Sequence, residues 1–288
     1  MLAEIIALLA ALFFGLNLVT SRRGLISGHV YTGVLISMVT GIPMFLLFSI
    51  IVQELYKATI TLSAITVLSL AGMLHFSIGR SLLYKGIHLV GSNISGPIIA
   101  SSALYVVLLS ILILGERPTT YDILGTISIV IGLTLITMRG ARIVKSYRGL
   151  IYAFAASIIF SITTILVKVG ITSLNTPILA TAISYTAALP PYLVLLIHSK
   201  FRSELFNTDY KILKYLTLAA LTVNIAQLLR YISLSIGDAS SVTPITNISP
   251  LFGIILSYIF NRSIEDFNIK IIIGAILVVT GVALITLL

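Results

Sequence analysis

Residues 125–137 read GTISIVIGLTLIT and residues 274–286 read GAILVVTGVALIT; seven of these thirteen positions are identical, at an offset of 149. Nearer the N-terminus an offset of 146 holds. It places Ala7, Ala10, Phe14 and Gly24 on Ala153, Ala156, Phe160 and Gly170, Arg22 on Lys168, and Gly91 on Gly237. A three-residue insertion around Ser263–Glu265 accounts for the change of offset. Apolar segments match by accident easily, so any one coincidence says little. A register held through several segments marks an internal duplication.

The duplicated unit reads as a set of membrane-crossing helices. The chain has 288 residues, 58% hydrophobic and only 9% charged, with a mean hydropathy of +1.13. A soluble domain needs about 25% charged residues to wet its surface. Apolar runs fall near 2–19, 31–52, 62–84, 91–114, 121–138, 149–168, 177–198, 213–234, 238–260 and 268–287, which makes ten. Each is near the length of about 20 residues that a helix needs to cross a bilayer. None alternates polar and apolar residues as a membrane barrel requires, and helices are the remaining way to satisfy the backbone in lipid. Met1-Leu2-Ala3-Glu4 lacks a basic n-region, so the first run is expected to stay as a helix.

Five runs per half is an odd number, so the second half enters the membrane in the opposite sense. The expected fold is therefore an all-α integral membrane protein of ten transmembrane helices in two inverted five-helix repeats. The repeats are residues 1–138 and 149–288, joined by a basic connection at 139–148. Inverted repeats of this kind build many secondary transporters, with the substrate near the midplane.

The formal charge of +9 sits in the connections between runs. Those after odd-numbered runs carry Arg22, Arg23, Lys85, Arg139, Arg142, Lys145, Arg148, Lys200, Arg202, Lys211, Lys214 and Arg262; those after even-numbered runs carry Lys57, Arg117 and Lys168. The positive-inside rule then puts the odd connections in the cytoplasm and both termini outside. This pattern reads as membrane topology and not as a nucleic-acid face. There are no cysteines, so disulfides, thiolate metal sites and cysteine nucleophiles are excluded. His29, His75, His88 and His198 are scattered, and no metal or cofactor is expected. The chain has no His-Glu-x-x-His, Gly-x-Ser-x-Gly or Walker loop, which argues against an enzyme and against ATP-driven transport by this chain alone.

Leu112-Ile113-Leu114-Gly115-Glu116-Arg117-Pro118 at the end of the fourth run, and the Gly-x6-Gly spacing of Gly125 and Gly132, resemble the EamA-type ten-helix branch of the drug/metabolite transporter superfamily. The second copy departs from the pattern at Asn261-Arg262-Ser263, while Pro250, Gly274 and Gly281 keep it. The resemblance implies two EamA-like repeats and export or exchange of small metabolites, often amino acids. Relatives move aromatic compounds, nucleotide sugars or triose phosphates. The smaller four-helix exporters of the superfamily use a first-helix glutamate, where this chain offers only Asn17.

Ionisable groups inside a span normally face a cavity or a partner. Here they are His75 and Arg80 in the third run and Arg230 in the eighth. Ser77, Arg80, Ser81 and Tyr84 share one helical face, which the offset maps to Val223, Ala226, Gln227 and Arg230. Each half thus offers an arginine to a shared cavity, where a guanidinium fork suits a carboxylate or phosphate. The competing reading has both side chains snorkelling to the headgroups. His75 is a proton carrier or a neutral helix contact. Asn224 and Gln227 lead to Arg230, and such amides either meet substrate or join helices. Asn93, Ser101 and Tyr105 in the fourth run, and Thr243 and Asn247 in the ninth, complete the candidate substrate-binding set; Ser101 maps onto Asn247. Asn17 in the first run and Tyr185 in the seventh are lesser candidates.

Pro97, Pro244 and Pro250 should kink the fourth and ninth helices and are candidate gates, or serve packing alone. The glycines at 125, 132, 274 and 281 are expected to let the fifth and tenth helices approach each other or their neighbours. No acid lies mid-span, which disfavours proton antiport on a buried carboxylate. The expected function is secondary transport of small organic metabolites, amino acids leading, by alternating access. Phosphorylated or nucleotide-linked anions and a passive channel are the alternatives. The expected setting is a cell membrane, with the bilayer and the substrate as partners, no nucleic acid, and a monomer sufficient for function.

Overall fold

A computed structural model describes residues 1–25, 30–90, 98–137, 147–206, 208–260 and 269–287. Among them every regular element is a helix: α1 Leu2–Leu25, α2 Val30–Ile51, the single turn α3 Glu54–Lys57, α4 Leu62–Gly72, α5 Arg80–Val90, α6 Ser102–Leu109, α7 Thr120–Thr137, α8 Tyr147–Leu174, α9 Pro177–Leu195, α10 Ser199–Phe206, α11 Tyr210–Ile236, α12 Ala239–Thr246, α13 Ser249–Phe260 and α14 Ile269–Leu287. A π-helical stretch, Met73–Gly79, carries α4 into α5, and a second, Ser110–Leu114, extends α6. Among the described residues six stretches are long and apolar enough to cross a membrane: Leu2–Ser21, Tyr31–Ile51, Leu62–Leu83, Tyr147–Leu174, Pro177–Leu195 and Tyr210–Ile236. Shorter apolar helical stretches run over Ile98–Leu114, Thr120–Leu135 and Ile273–Thr286.

Hydroxyl groups survive in these apolar helices because they donate back to their own backbone. Thr40 Oγ1 bonds the Ile36 carbonyl, Thr134 Oγ1 that of Val130, and Thr164 Oγ1 that of Phe160. Large apolar side chains such as Leu47, Leu112, Ile276 and Val279 stand exposed, as a lipid-facing surface requires. The interior is built from small residues. Ala7, Ala10, Ala153 and Ala156, the two alanine pairs matched by the sequence repeat, are all fully buried and let backbones come close.

Helices from the two halves pack against one another. α1 lies along α11, α8 lies along α4 and α5, α2 meets α9, and α7 meets α14. The last pair uses the glycines of the quoted stretches: a Cβ at Gly125 would stand 2.6 Å from the Gly281 carbonyl oxygen, and one at Gly281 would stand 2.6 Å from that of Gly125. At Gly72, α4 presses its backbone directly onto Ser184 of α9.

The apolar run of 238–260 is two helices, not one bent one. α12 ends at Thr246 and α13 starts at Ser249, after a turn at Asn247 and Ile248. Pro250 has no N–H for the Thr246 carbonyl one turn earlier, so the ladder fails there. Pro244 lies inside α12 without ending it. Pro97 and Asn93 lie outside the described residues, as does the side chain of Tyr84.

Candidate functional site

Between the halves lies a cavity of about 340 Å³. Its walls come from the later part of α1 (Phe14 to Ser21), the start of α2, the segment from His75 to Leu83, the middle of α8 (Phe160, Thr164), α11 from Leu216 to Arg230, and the residues around the α12–α13 break. The hollow therefore runs from mid-helix to Ser21 near the end of α1 and Gly33 near the start of α2. Among the described residues no aspartate or glutamate lines it.

Arg230 anchors the deep end. The side chain is 8% exposed, Nη2 donates to Thr164 Oγ1 at 2.6 Å, and Nη1 makes a long 3.5 Å contact with Gln227 Oε1. Among the described residues it has no carboxylate partner. Arg80 also lines the cavity, with its guanidinium carbon 5.1 Å from the centre of the Phe76 ring. His75 contacts the rings of Phe76 and Phe160 and shares a 3.0 Å hydrogen bond between Nδ1 and Thr163 Oγ1. Its π-helical setting is the kind of local widening often found at functional sites.

Asn17 and Asn247 line the cavity while tying the halves together. Asn17 Nδ2 donates to the Ala219 carbonyl at 2.8 Å, and Asn247 Nδ2 donates to Ser102 Oγ at 3.0 Å. Thr243 lines the cavity with a hydroxyl that is buried and has no protein partner. Other candidates sit elsewhere. Asn224 is fully buried against α2, donating to Thr40 Oγ1 at 3.1 Å, so it joins helices. Ser101 donates to the Ile98 carbonyl, and neither it nor Tyr105 is in the wall. Tyr185 is core, edge-on to Phe45 and tilted against Phe76. Ser102, Thr163 and Thr164 are outside the candidate set. Their only signal is a hydroxyl in an apolar helix, and most such hydroxyls satisfy themselves.

Away from the cavity, the opposite helix ends are tied together. Gly115 turns in the left-handed region (φ 68°) and delivers Glu116 to the start of α12. There its carboxylate accepts from Ala239 N at 2.8 Å, Ser240 N at 3.0 Å and Ser240 Oγ at 2.7 Å. Lys168 Nζ donates to the carbonyls of Leu234 (2.8 Å) and Gly237 (2.7 Å), and Ser233 Oγ to that of Ala3 (2.6 Å). Glu54 caps α9 by accepting from Ile178 N and Leu179 N at 2.9 and 3.0 Å. Carboxylates at helix N-termini and an ammonium at a C-terminus meet both the unpaired backbone groups and the helix dipoles. Burial raises the Asp238 carboxyl above the usual aspartate range, with Glu116 adding to the rise and Lys168 opposing it. Burial likewise raises Glu54 against the lowering by its two backbone bonds. The Glu116 motif carried only a resemblance in the sequence. An acid between a turn glycine and a proline was the available sign of a cap.

Among the described residues the chain is all helical, with long apolar helices packed around a hollow lined by apolar side chains and a few polar ones, the form of a multi-pass membrane protein. A profile of the EamA-like transporter family matches residues 1–138 and 147–287, and the chain belongs to that family. It is accordingly a multi-pass membrane protein of a transporter family without enzymatic members. It is 35% identical over 95 residues to an uncharacterized protein of Methanocaldococcus jannaschii, covering 33% of this chain and 67% of that one. A solved structure described only as the crystal structure of a protein superposes with a TM-score of 0.79 at 17% identity, covering 99% of this chain and 97% of the other. At that identity the likeness concerns the fold.

Proposed function

We propose that the chain is a secondary transporter of small organic metabolites in the cell membrane, with ten spans in two inverted repeats working by alternating access. The observation that carries this is the cavity wall itself. Phe14 and Leu18 of α1 and their repeat mates Phe160 and Thr164 of α8 all line it, so the same face of equivalent helices meets the same hollow. A hollow reaching the α1–α2 end of the bundle and tied shut at the other is what one of two access states looks like. By the charge count, the reached end is the cytoplasmic one.

Size separates the substrate classes. Small-molecule sites run from about 300 to 1,000 Å³. A cavity near 340 Å³ sits at the low end and suits a single small metabolite better than a nucleotide-linked one.

Purified protein in liposomes should show saturable uptake and counterflow of the substrate; flux that never saturates identifies a channel. Repeating the uptake with and without an imposed pH gradient reads proton coupling directly.

Glu116 holds the closed end, so Glu116→Ala should favour the other access state. A helix cap contributes about 1–2 kcal/mol, so the expected change is about tenfold in population. The chain has no cysteine of its own, so a single Thr243→Cys probe is a clean reporter. Labelling by a membrane-impermeant reagent from the Glu116 side should rise about tenfold in E116A, and unchanged labelling overturns this role for Glu116.

A further inference from the structure

Resting on the carrier reading above, which makes this cavity the substrate site, we propose that it takes a small organic anion with a single carboxylate and no ammonium group, the carboxylate seated on Arg230. A guanidinium stays charged at any accessible pH, and a charge withdrawn from water requires a counter-charge. Arg230 is 8% exposed, and its protein contacts are a threonine hydroxyl and a distant amide oxygen, both neutral. No acid among the described residues lines the same space, so the missing negative charge is the ligand's.

Three features narrow the ligand. Arg80 is only partly buried and keeps water around its charge, whereas Arg230 is buried, which leaves one guanidinium to be matched and favours a monoanion over a phosphate dianion. The walls also include Phe14, Phe160 and Val223, and so fit an apolar body. The Gln227 amide, which also lines the cavity, stands 3.5 Å from Arg230 Nη1 and so lies beside the carboxylate seat. An α-ammonium group would enter a hollow that already holds two guanidinium groups and no carboxylate. Its positive charge finds no compensation there beyond the carboxylate of its own molecule, which then no longer neutralises Arg230.

Matched probes test this on the full-length protein in phosphatidylcholine nanodiscs, by calorimetric titration. Phenylalanine and leucine are compared with their deaminated counterparts, 3-phenylpropanoate and 4-methylpentanoate, and with phenyl phosphate. The deaminated acids should bind about tenfold or more tightly than the amino acids and than phenyl phosphate. Arg230→Gln should remove that preference, and Arg230→Lys should keep part of it. Amino acids binding as well as the acids, phenyl phosphate binding best, or no probe binding at all overturns the assignment. The wild-type ranking decides even if a variant fails to fold. Binding in this order without flux in liposomes leaves the anion site standing and removes the carrier reading; saturable flux without this order does the reverse.

Discussion

Alanine at position 72 is expected to leave almost no folded protein. The Cβ it adds would fall within the Ser184 carbonyl of α9, with the Ser184 carbonyl carbon and Cα 2.7 and 2.8 Å away. Those are backbone atoms in the middle of a helix, so no rotamer change can clear them. The two helices would have to separate, and with them the Ser184 hydroxyl bond to Leu68, 3.1 Å long and fully buried. Overpacking a close-packed core costs typically about 1–3 kcal/mol when side chains can yield; backbone against backbone sits at or above the top of that range. The matched control is Gly33→Ala, whose added Cβ would lie 3.4 Å from the tip of Leu216, an ordinary contact with a flexible side chain. Detergent-solubilised G72A should be lost as aggregate in size-exclusion chromatography while G33A elutes as the parent does. Normal elution of both shows that α4 and α9 have slack there.

Leucine in place of Arg230 should abolish transport and leave expression intact. Removing one partner of a desolvated charge pair costs about 2–5 kcal/mol, so kcat/KM for uptake should fall by about 30-fold or more. Folding should survive because the substitution orphans little. Thr164 Oγ1 keeps its 2.8 Å bond to the Phe160 carbonyl, and Gln227 loses only a 3.5 Å contact. Replacing a buried charge with a similar apolar volume is often neutral or stabilising. Unchanged uptake kinetics in this variant would take Arg230 out of the site.

Much of this architecture could be read in advance because lipid makes the reading simple: a run of apolar residues must be helical, and a repeated glycine must be a close approach. The GTISIVIGLTLIT and GAILVVTGVALIT stretches do meet, glycine to glycine. Arg80, Arg230, His75, Gln227, Asn17, Thr243 and Asn247 do share one cavity. Asn224 does not, although it lies on the same helix as Gln227 and is the same kind of group. Which neighbour a given helix face meets is decided by packing against α2, and composition carries no trace of that azimuth. The break at Asn247 and Ile248 was similarly hidden, since two prolines were available and only the carbonyl that each one strips tells them apart. The π-helical widening at Met73–Gly79 has no sequence signature, because an extra residue in a helical turn leaves hydropathy unchanged.

The carboxylate at the start of α12 has a consequence for biosynthesis. Glu116 and the amide it receives from Ala239 are separated by 123 positions in the chain. A ribosome delivers the first long before the second, so the loop carrying Glu116 must wait in the translocation machinery or the headgroup layer for a helix not yet made. Neither half is then a finished folding unit. Fragments cut at the basic linker should need each other in the same membrane before either becomes resistant to proteolysis.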